Sequence, residues 1–217
     1  MGPPGSDRAF YDGVRGSLEG PYLSADDLRG GSGFRGDAGR WERARRPIAS
    51  AVDRDGTFLD VGCANGLLVE SLVAWTGEDG RRIEPYGLDL IPSLAALARK
   101  RLPRWKSSIS VGNVMHWEPP FRFDFVRTEP RYVPRDRRRE LVERLLGLYL
   151  VPGGRLILCS YNSSRRHQPR AEPVGDALRT WGYGVAGESE GIDTNGAVIT
   201  RVAWTNAPHT QDLKPDA

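Results

Sequence analysis

One stretch constrains the fold of this chain more than any other: Thr57-Phe58-Leu59-Asp60-Val61-Gly62-Cys63-Ala64-Asn65-Gly66-Leu67-Leu68-Val69-Glu70. It opens as an apolar run with β propensity and carries one acid, Asp60, near its end. It then turns on glycines and continues with Leu67, Leu68, Leu72 and Val73 at helical spacing. A strand that feeds a glycine turn and then a helix can bind a ligand. Glycine lets a ligand approach the backbone, and the helix N-terminus offers free N–H groups. The plainer reading is an ordinary strand-to-helix loop in an α/β protein. Chemistry elsewhere in the chain separates the two.

The chain around this stretch alternates strands and helices. Asp37 caps a helical pattern that runs to Val52, with Trp41, Ala44, Arg45, Ile48 and Val52 roughly on one face. Strand 57–61 follows, then a helix to about Trp75. A second strand, 84–90, ends in Asp89, and Pro92 suits the first turn of the next helix. Strands at 107–111, 123–128 and 155–160 and a helix at 136–149 continue the alternation. A short helix near 174–181 precedes two strands, about 184–189 and 197–204, joined by a turn-rich segment. Alternation through five strands predicts a parallel sheet with helices on both faces. The short link predicts an antiparallel final pair. Residues 1–36, rich in glycine and holding Gly30-Gly31-Ser32-Gly33-Phe34-Arg35-Gly36, read as a flexible arm or lid. Residues 1–8 and the tail, 207–217, read as disordered, which leaves 37–206 as the folded domain.

Composition bounds the rest. The 217 residues suffice for one substantial domain. Thirty-one basic residues against twenty-eight acidic ones give a net charge of +3, too small an excess to demand a nucleic-acid partner. The two cysteines, Cys63 and Cys159, have no zinc-ligand spacing and imply no disulfide framework or metal site. There is no signal-peptide core at the N-terminus, and no run approaches the ~20 apolar residues that cross a membrane. The expectation is a cytoplasmic protein.

A ligand on such a sheet lies across the C-terminal ends of the strands, where the strand order reverses. Three strand ends offer matching chemistry. Asp60 precedes the Gly62 to Gly66 turn. Asp89 lies twenty-three residues after Gly66 and is suited to accept both hydroxyls of a ribose. Gly112-Asn113-Val114 offers an amide side chain and a backbone N–H to an adenine edge. Asp60 to Gly66 resembles the nucleotide loop of class I S-adenosylmethionine-dependent methyltransferases, acid-x-Gly-x-Gly-x-Gly, with Ala64 in place of the middle glycine. Gly87-Leu88-Asp89-Leu90 resembles that family's ribose segment. Gly112-Asn113-Val114 resembles its adenine segment, where aspartate is commoner. Leu150-Val151-Pro152-Gly153-Gly154-Arg155-Leu156 resembles its turn before the fifth strand. The resemblance covers about 57–160, extended to about 205 by the last strand pair.

That resemblance implies a Rossmann-like three-layer α/β sandwich. Its sheet is seven-stranded and mostly parallel, with a C-terminal antiparallel strand. It implies S-adenosylmethionine (SAM) as methyl donor and S-adenosylhomocysteine (SAH) as product. The expected cofactor contacts are Asp60, Gly62, Cys63, Ala64, Asn65, Gly66 and Leu67 in the turn, then Asp89, Leu90, Asn113 and Val114, with Arg127 and Trp41. A nicotinamide dehydrogenase wants Gly-x-Gly-x-x-Gly, and Asn65 breaks that pattern. Asp60 would also repel a diphosphate, whereas it attracts the amino group of a methionine moiety.

The acceptor side is less specified. Methyl transfer needs positioning and, for some acceptors, deprotonation. Glu129, Tyr132 and His116 are the candidates for handling the acceptor or its proton. The position where base-methylating relatives carry Asn/Asp-Pro-Pro-aromatic reads Arg127-Thr128-Glu129-Pro130-Arg131-Tyr132, so that motif is absent. The favoured acceptor is an O or N atom of a small molecule. The rivals are an RNA methyltransferase, supported by the run Arg135 to Arg139, and a non-catalytic SAM-binding protein. Oligomeric state is not legible.

Overall fold

A computed structural model describes residues 4–162 and 171–208. Seven strands form one sheet: β1 (Gly56–Val61), β2 (Ile83–Asp89), β3 (Ile109–Val111), β4 (Phe123–Thr128), β5 (Leu150–Tyr161), β6 (Gly187–Ile192) and β7 (Val198–Asn206). Their spatial order is β3-β2-β1-β4-β5-β7-β6. The first five pair in parallel, and β7 inserts antiparallel between β5 and β6. The expected seven-stranded sheet with an antiparallel C-terminal pair is therefore present.

The strands are apolar because both faces are covered. Successive residues of β1 point to opposite sides. Phe58 stacks on Phe125 of β4 at 6.3 Å, in a core with Ile48, Leu72 and Trp75. Leu59 joins Phe123, Leu141, Leu145, Tyr149 and Leu178 on the other face. The first face carries α3 (Leu67–Glu78) and α4 (Pro92–Arg101). The second carries α5 (Arg138–Arg144) and α6 (Val174–Thr180). Chain direction across the sheet reverses between β1 and β4, which opens a crevice at their C-terminal ends.

Several boundaries differ from expectation. The helix of 37–52 is α2 (Ala38–Arg45) followed by a 3₁₀ turn, Arg46–Ala51, because Pro47 cannot donate to a continuing α-helix. The helix of 136–149 ends as a π-turn over Leu145–Tyr149. β5 begins at Leu150 rather than 155, with a register shift against β4 that absorbs Pro152-Gly153-Gly154.

The main departure is at the N-terminus. Residues 4–8, expected to be disordered, open helix α1 (Pro4–Leu23), and a 3₁₀ turn forms over Gly30–Ser32. Phe10, Val14 and Leu18 recur every four residues, and Gly13 and Gly16 between them, with Gly20 after, hid that helical signal. At the other end, Ala207 is ordered. It is buried and exchanges backbone hydrogen bonds with Gly153 and Gly154. The rest of the expected tail, from 209, lies outside the described residues, as does most of the expected loop after Asn162.

Candidate active site

A cleft of about 700 Å³ lies over the C-terminal ends of the strands. Its floor is Gly62 and Ala64 after β1, Asp89, Leu90 and Ile91 after β2, Glu129, Arg131 and Tyr132 after β4, and Tyr161 and Asn162 at the end of β5. Its roof is α1, through Val14, Ser17, Leu18, Pro21 and Tyr22, together with the loop around Phe34.

The turn after β1 has the backbone its sequence foretells. Gly62 has φ +79, and a Cβ there would lie 2.6 Å from the Tyr132 ring, so only glycine admits that ring. Ala64 has φ +46, a left-handed conformation that costs a side-chain-bearing residue about 1–2 kcal/mol. The strain is held by Asp89, whose Oδ2 accepts the Ala64 N–H at 2.8 Å while Oδ1 accepts the Ile91 N–H at 2.8 Å. Burial pushes the Asp89 carboxyl up, and these two amide donors oppose it. Each oxygen accepts one amide and so keeps a further lone pair, and the residue lines the cleft.

Asp60 does not face the cleft. It is 1% exposed, and its Oδ1 accepts from Arg127 Nη1 at 3.0 Å. Arg127 is equally buried. Its Nη2 donates to Glu129 Oε1 at 3.0 Å and to the Tyr161 hydroxyl at 2.7 Å. Glu129 also accepts from Tyr132 at 2.7 Å and from Arg131 Nε at 2.5 Å. Burial pushes Asp60 up to about 6 against the pull of Arg127, because one guanidinium serves two acids. Burial alone would raise Glu129 too, but Arg131, Arg127 and Tyr132 outweigh it and bring it down to about 2. Burial, with Glu129 adding to it at Tyr132, keeps the Tyr132 and Tyr161 hydroxyls protonated well above the phenol range.

Arg45, on α2, is buried among aromatic rings. Its guanidinium lies 3.5 Å from the Tyr161 ring centre and 5.2 Å from those of Phe34 and Trp41.

No protein-family model and no curated protein matches this chain. Solved structures do. The 1,6-didemethyltoxoflavin-N1-methyltransferase of Burkholderia thailandensis aligns with a TM-score of 0.65 at 16% identity, covering 96% of this chain and 93% of its own. N-methyltransferase NodS of Bradyrhizobium japonicum WM9, crystallised with SAH, aligns at 0.60 and 18% identity, covering 92% and 99%. This chain has the class I methyltransferase fold. The cyclase SpnF aligns at 0.58 and 14% identity, covering 91% and 96%, so the fold does not by itself dictate methyl transfer.

Against that fold, the residues expected from sequence divide. Gly62, Ala64, Asp89, Leu90, Glu129 and Tyr132 meet in the cleft. Cys63, Asn65, Gly66 and Leu67 do not line it. Cys63 packs in the core with Val69 and Ile109. Asn65 donates from Nδ2 to the Leu28 carbonyl at 2.7 Å and accepts the Leu67 N–H at 3.0 Å, fastening the N-terminal segment to the turn. Asp60 and Arg127 are expected cofactor contacts that instead satisfy each other below the floor. The physical reason is that an acid so deeply buried needs the nearest cation.

Asn113 and Val114 also lie outside the cleft. Asn113 Oδ1 caps the Met115 N–H at 2.9 Å, and the Val114 carbonyl accepts from Arg144 and Tyr149. Trp41 is buried, donating to Ser71 Oγ at 3.0 Å. His116 is exposed and away from the cleft, so it has no place there as a proton acceptor. The basic run is largely neutralised: Arg137 pairs with Glu140 and Asp7, Arg138 with Glu172 and Arg139 with Glu143. Sequence reasoning missed Tyr161 and Arg131 as charge-network members and Tyr22 as roof.

Proposed function

We propose that the chain is a SAM-dependent methyltransferase acting on a small molecule. The observation that carries this reading is Asp89. It is a buried acid at the end of β2, in one cleft with the strained turn at Ala64, and it retains lone pairs for a vicinal diol. The volume falls within the ~300–1,000 Å³ typical of small-ligand sites. Asp89 would hold the ribose hydroxyls, Gly62 and Ala64 would let the donor approach the backbone, and the ionised Glu129 would face its cationic end. When bound, SAM supplies an electrophilic methyl group and leaves as SAH.

The protein's own part is then orientation and exclusion of water rather than proton removal. Glu129 at about 2 is too weak a base at neutral pH, and Tyr132 and Tyr161 stay protonated. This favours an acceptor whose lone pair is free at neutral pH, such as an uncharged amine, and the solved N-methyltransferases of this fold support the same choice. The neutralised Arg137 to Arg139 run weakens the RNA alternative.

Calorimetry should detect SAH binding, and Asp89→Ala should weaken it by about a hundredfold, the loss of two charge-assisted hydrogen bonds. Unchanged affinity in the variant would remove the placement of the donor. Radiolabelled methyl from SAM, traced into extracted metabolites and into RNA, separates the acceptor classes. The cyclase of this fold gives substance to a second reading, in which the cleft binds SAM and no label moves.

A further inference from the structure

Resting on that reading, we infer that the acceptor carries a carboxylate and that Arg45 receives it. Arg45 is 9% exposed, yet among the described residues it has no salt bridge and its guanidinium donates no side-chain hydrogen bond. Of the other arginines lining the cleft, Arg40 pairs with Asp193 and Arg131 with Glu129, while Arg35, also without a salt bridge among the described residues, is exposed to water. Glu129, the acid after β4, bonds Arg127, Arg131 and Tyr132 and makes no salt bridge to Arg45. The segment 163–170, next in sequence to Asn162, contains no acid. A guanidinium at a cleft wall without a counter-ion is suited to an anionic ligand, which supplies the missing charge through charge-assisted hydrogen bonds.

The surroundings of Arg45 select the ligand. Tyr161 covers one face of the guanidinium and Phe34 and Trp41 pack nearby, so the face is taken and the N–H edge is what remains for a ligand. A planar carboxylate matches that edge with two parallel hydrogen bonds. Its position separates it from the donor. Asp89 ends β2, whereas Tyr161 ends β5, three strands away and hence about 14 Å across the sheet. Ile199, on β7, flanks the same corner. The donor's ribose and turn contacts lie at β2 and β1, which leaves the β5–β7 corner to the acceptor. The corner also offers Phe34 and Ile199 to an apolar body, so the acceptor is an acid with an aromatic or aliphatic frame.

The test uses the full chain saturated with SAH, with thermal unfolding followed as sodium benzoate or benzamide is added at matched ionic strength. Benzoate should raise the melting temperature and benzamide should not. Arg45→Met, which keeps the stem packed against the rings, should abolish the benzoate response while SAH affinity by calorimetry stays within about twofold. Arg45→Lys, which keeps the charge but not the fork, should retain a reduced response.

An equal response to benzoate and benzamide overturns the inference, as does no response to either. So does a benzoate response that survives Arg45→Met. Loss of SAH affinity in that variant assigns the guanidinium to the donor's carboxylate and overturns it equally. Failure of SAH to bind the wild type is a separate result: it removes the methyltransferase reading, and the benzoate comparison on the unliganded chain still decides the role of Arg45.

Discussion

At the scale of single residues, Ala64 and Asp89 form one device. The left-handed Ala64 points its N–H at the Asp89 carboxylate, and that bond holds the turn in a conformation alanine resists. Glycine would adopt it without strain. Ala64→Gly should therefore raise unfolding free energy by about 0.5–1 kcal/mol, the relief of strain less the extra chain entropy of glycine. Urea unfolding measures it, and a loss of stability would mean that the Ala64 methyl packs more tightly than its position at the cleft suggests. Asp89 was readable as an acid of the cleft because its distance from the glycine turn is set by one helix and one strand. Asp60 was readable as an acid of the turn but not as a buried one. Its partner, Arg127, is sixty-seven residues further along the chain.

Among the elements, α1 and the loop after it decide access to the cleft. Among its described side chains, residues 7–23, α1 presents none that is fully buried, and it is tied down by a few polar contacts: Asp7 with Arg137, Glu19 with Ser93, and Leu28 with Asn65 through the following loop. Elements held this way open at low free energy, and we propose that this one acts as a lid. Gly33 is its latch. It has φ +72, and a Cβ there would fall 1.9 Å from the Tyr22 hydroxyl. Gly33→Ala should push Tyr22 out of the roof, speed proteolysis between residues 24 and 36, and weaken SAH binding by about five- to tenfold, with the sheet core intact. Limited proteolysis followed by mass spectrometry reads the first effect. If cleavage and affinity both stay unchanged, the segment is a fixed wall.

For the molecule as a whole, the charge network under the cleft couples β1, β4 and β5 and makes stability depend on pH. Glu129 is held from 4.5 down to about 2, so its contribution, on the order of 3 kcal/mol, is complete above 4.5 and is lost as pH falls through 2. Asp60 works in the opposite sense. Its carboxyl is raised from 3.8 to about 6, so its contribution is complete below 3.8 and is lost as pH rises through 6. Together they are most stabilising near pH 4 to 4.5, roughly where the two windows overlap. Asp60→Asn should gain on the wild type as pH rises from about 3.8 to about 6, and Glu129→Gln should lose its deficit as pH drops from about 4.5 to about 2. Urea unfolding across that range tests both, and parallel curves for wild type and variants would refute the coupling.

The sequence alone determined the alternation of strands and helices, the glycine turn, the acid after β2 and the antiparallel close of the sheet. These follow from periodicity and from spacings within one or two elements, where the chain itself fixes distance. Only the tertiary structure decided that Asp60 pairs with Arg127, that α1 roofs the cleft, and that Arg45 stands in it without a salt bridge among the described residues. Those outcomes depend on which charges are sealed from water together, and burial assembles such charges from strands and helices far apart in the chain.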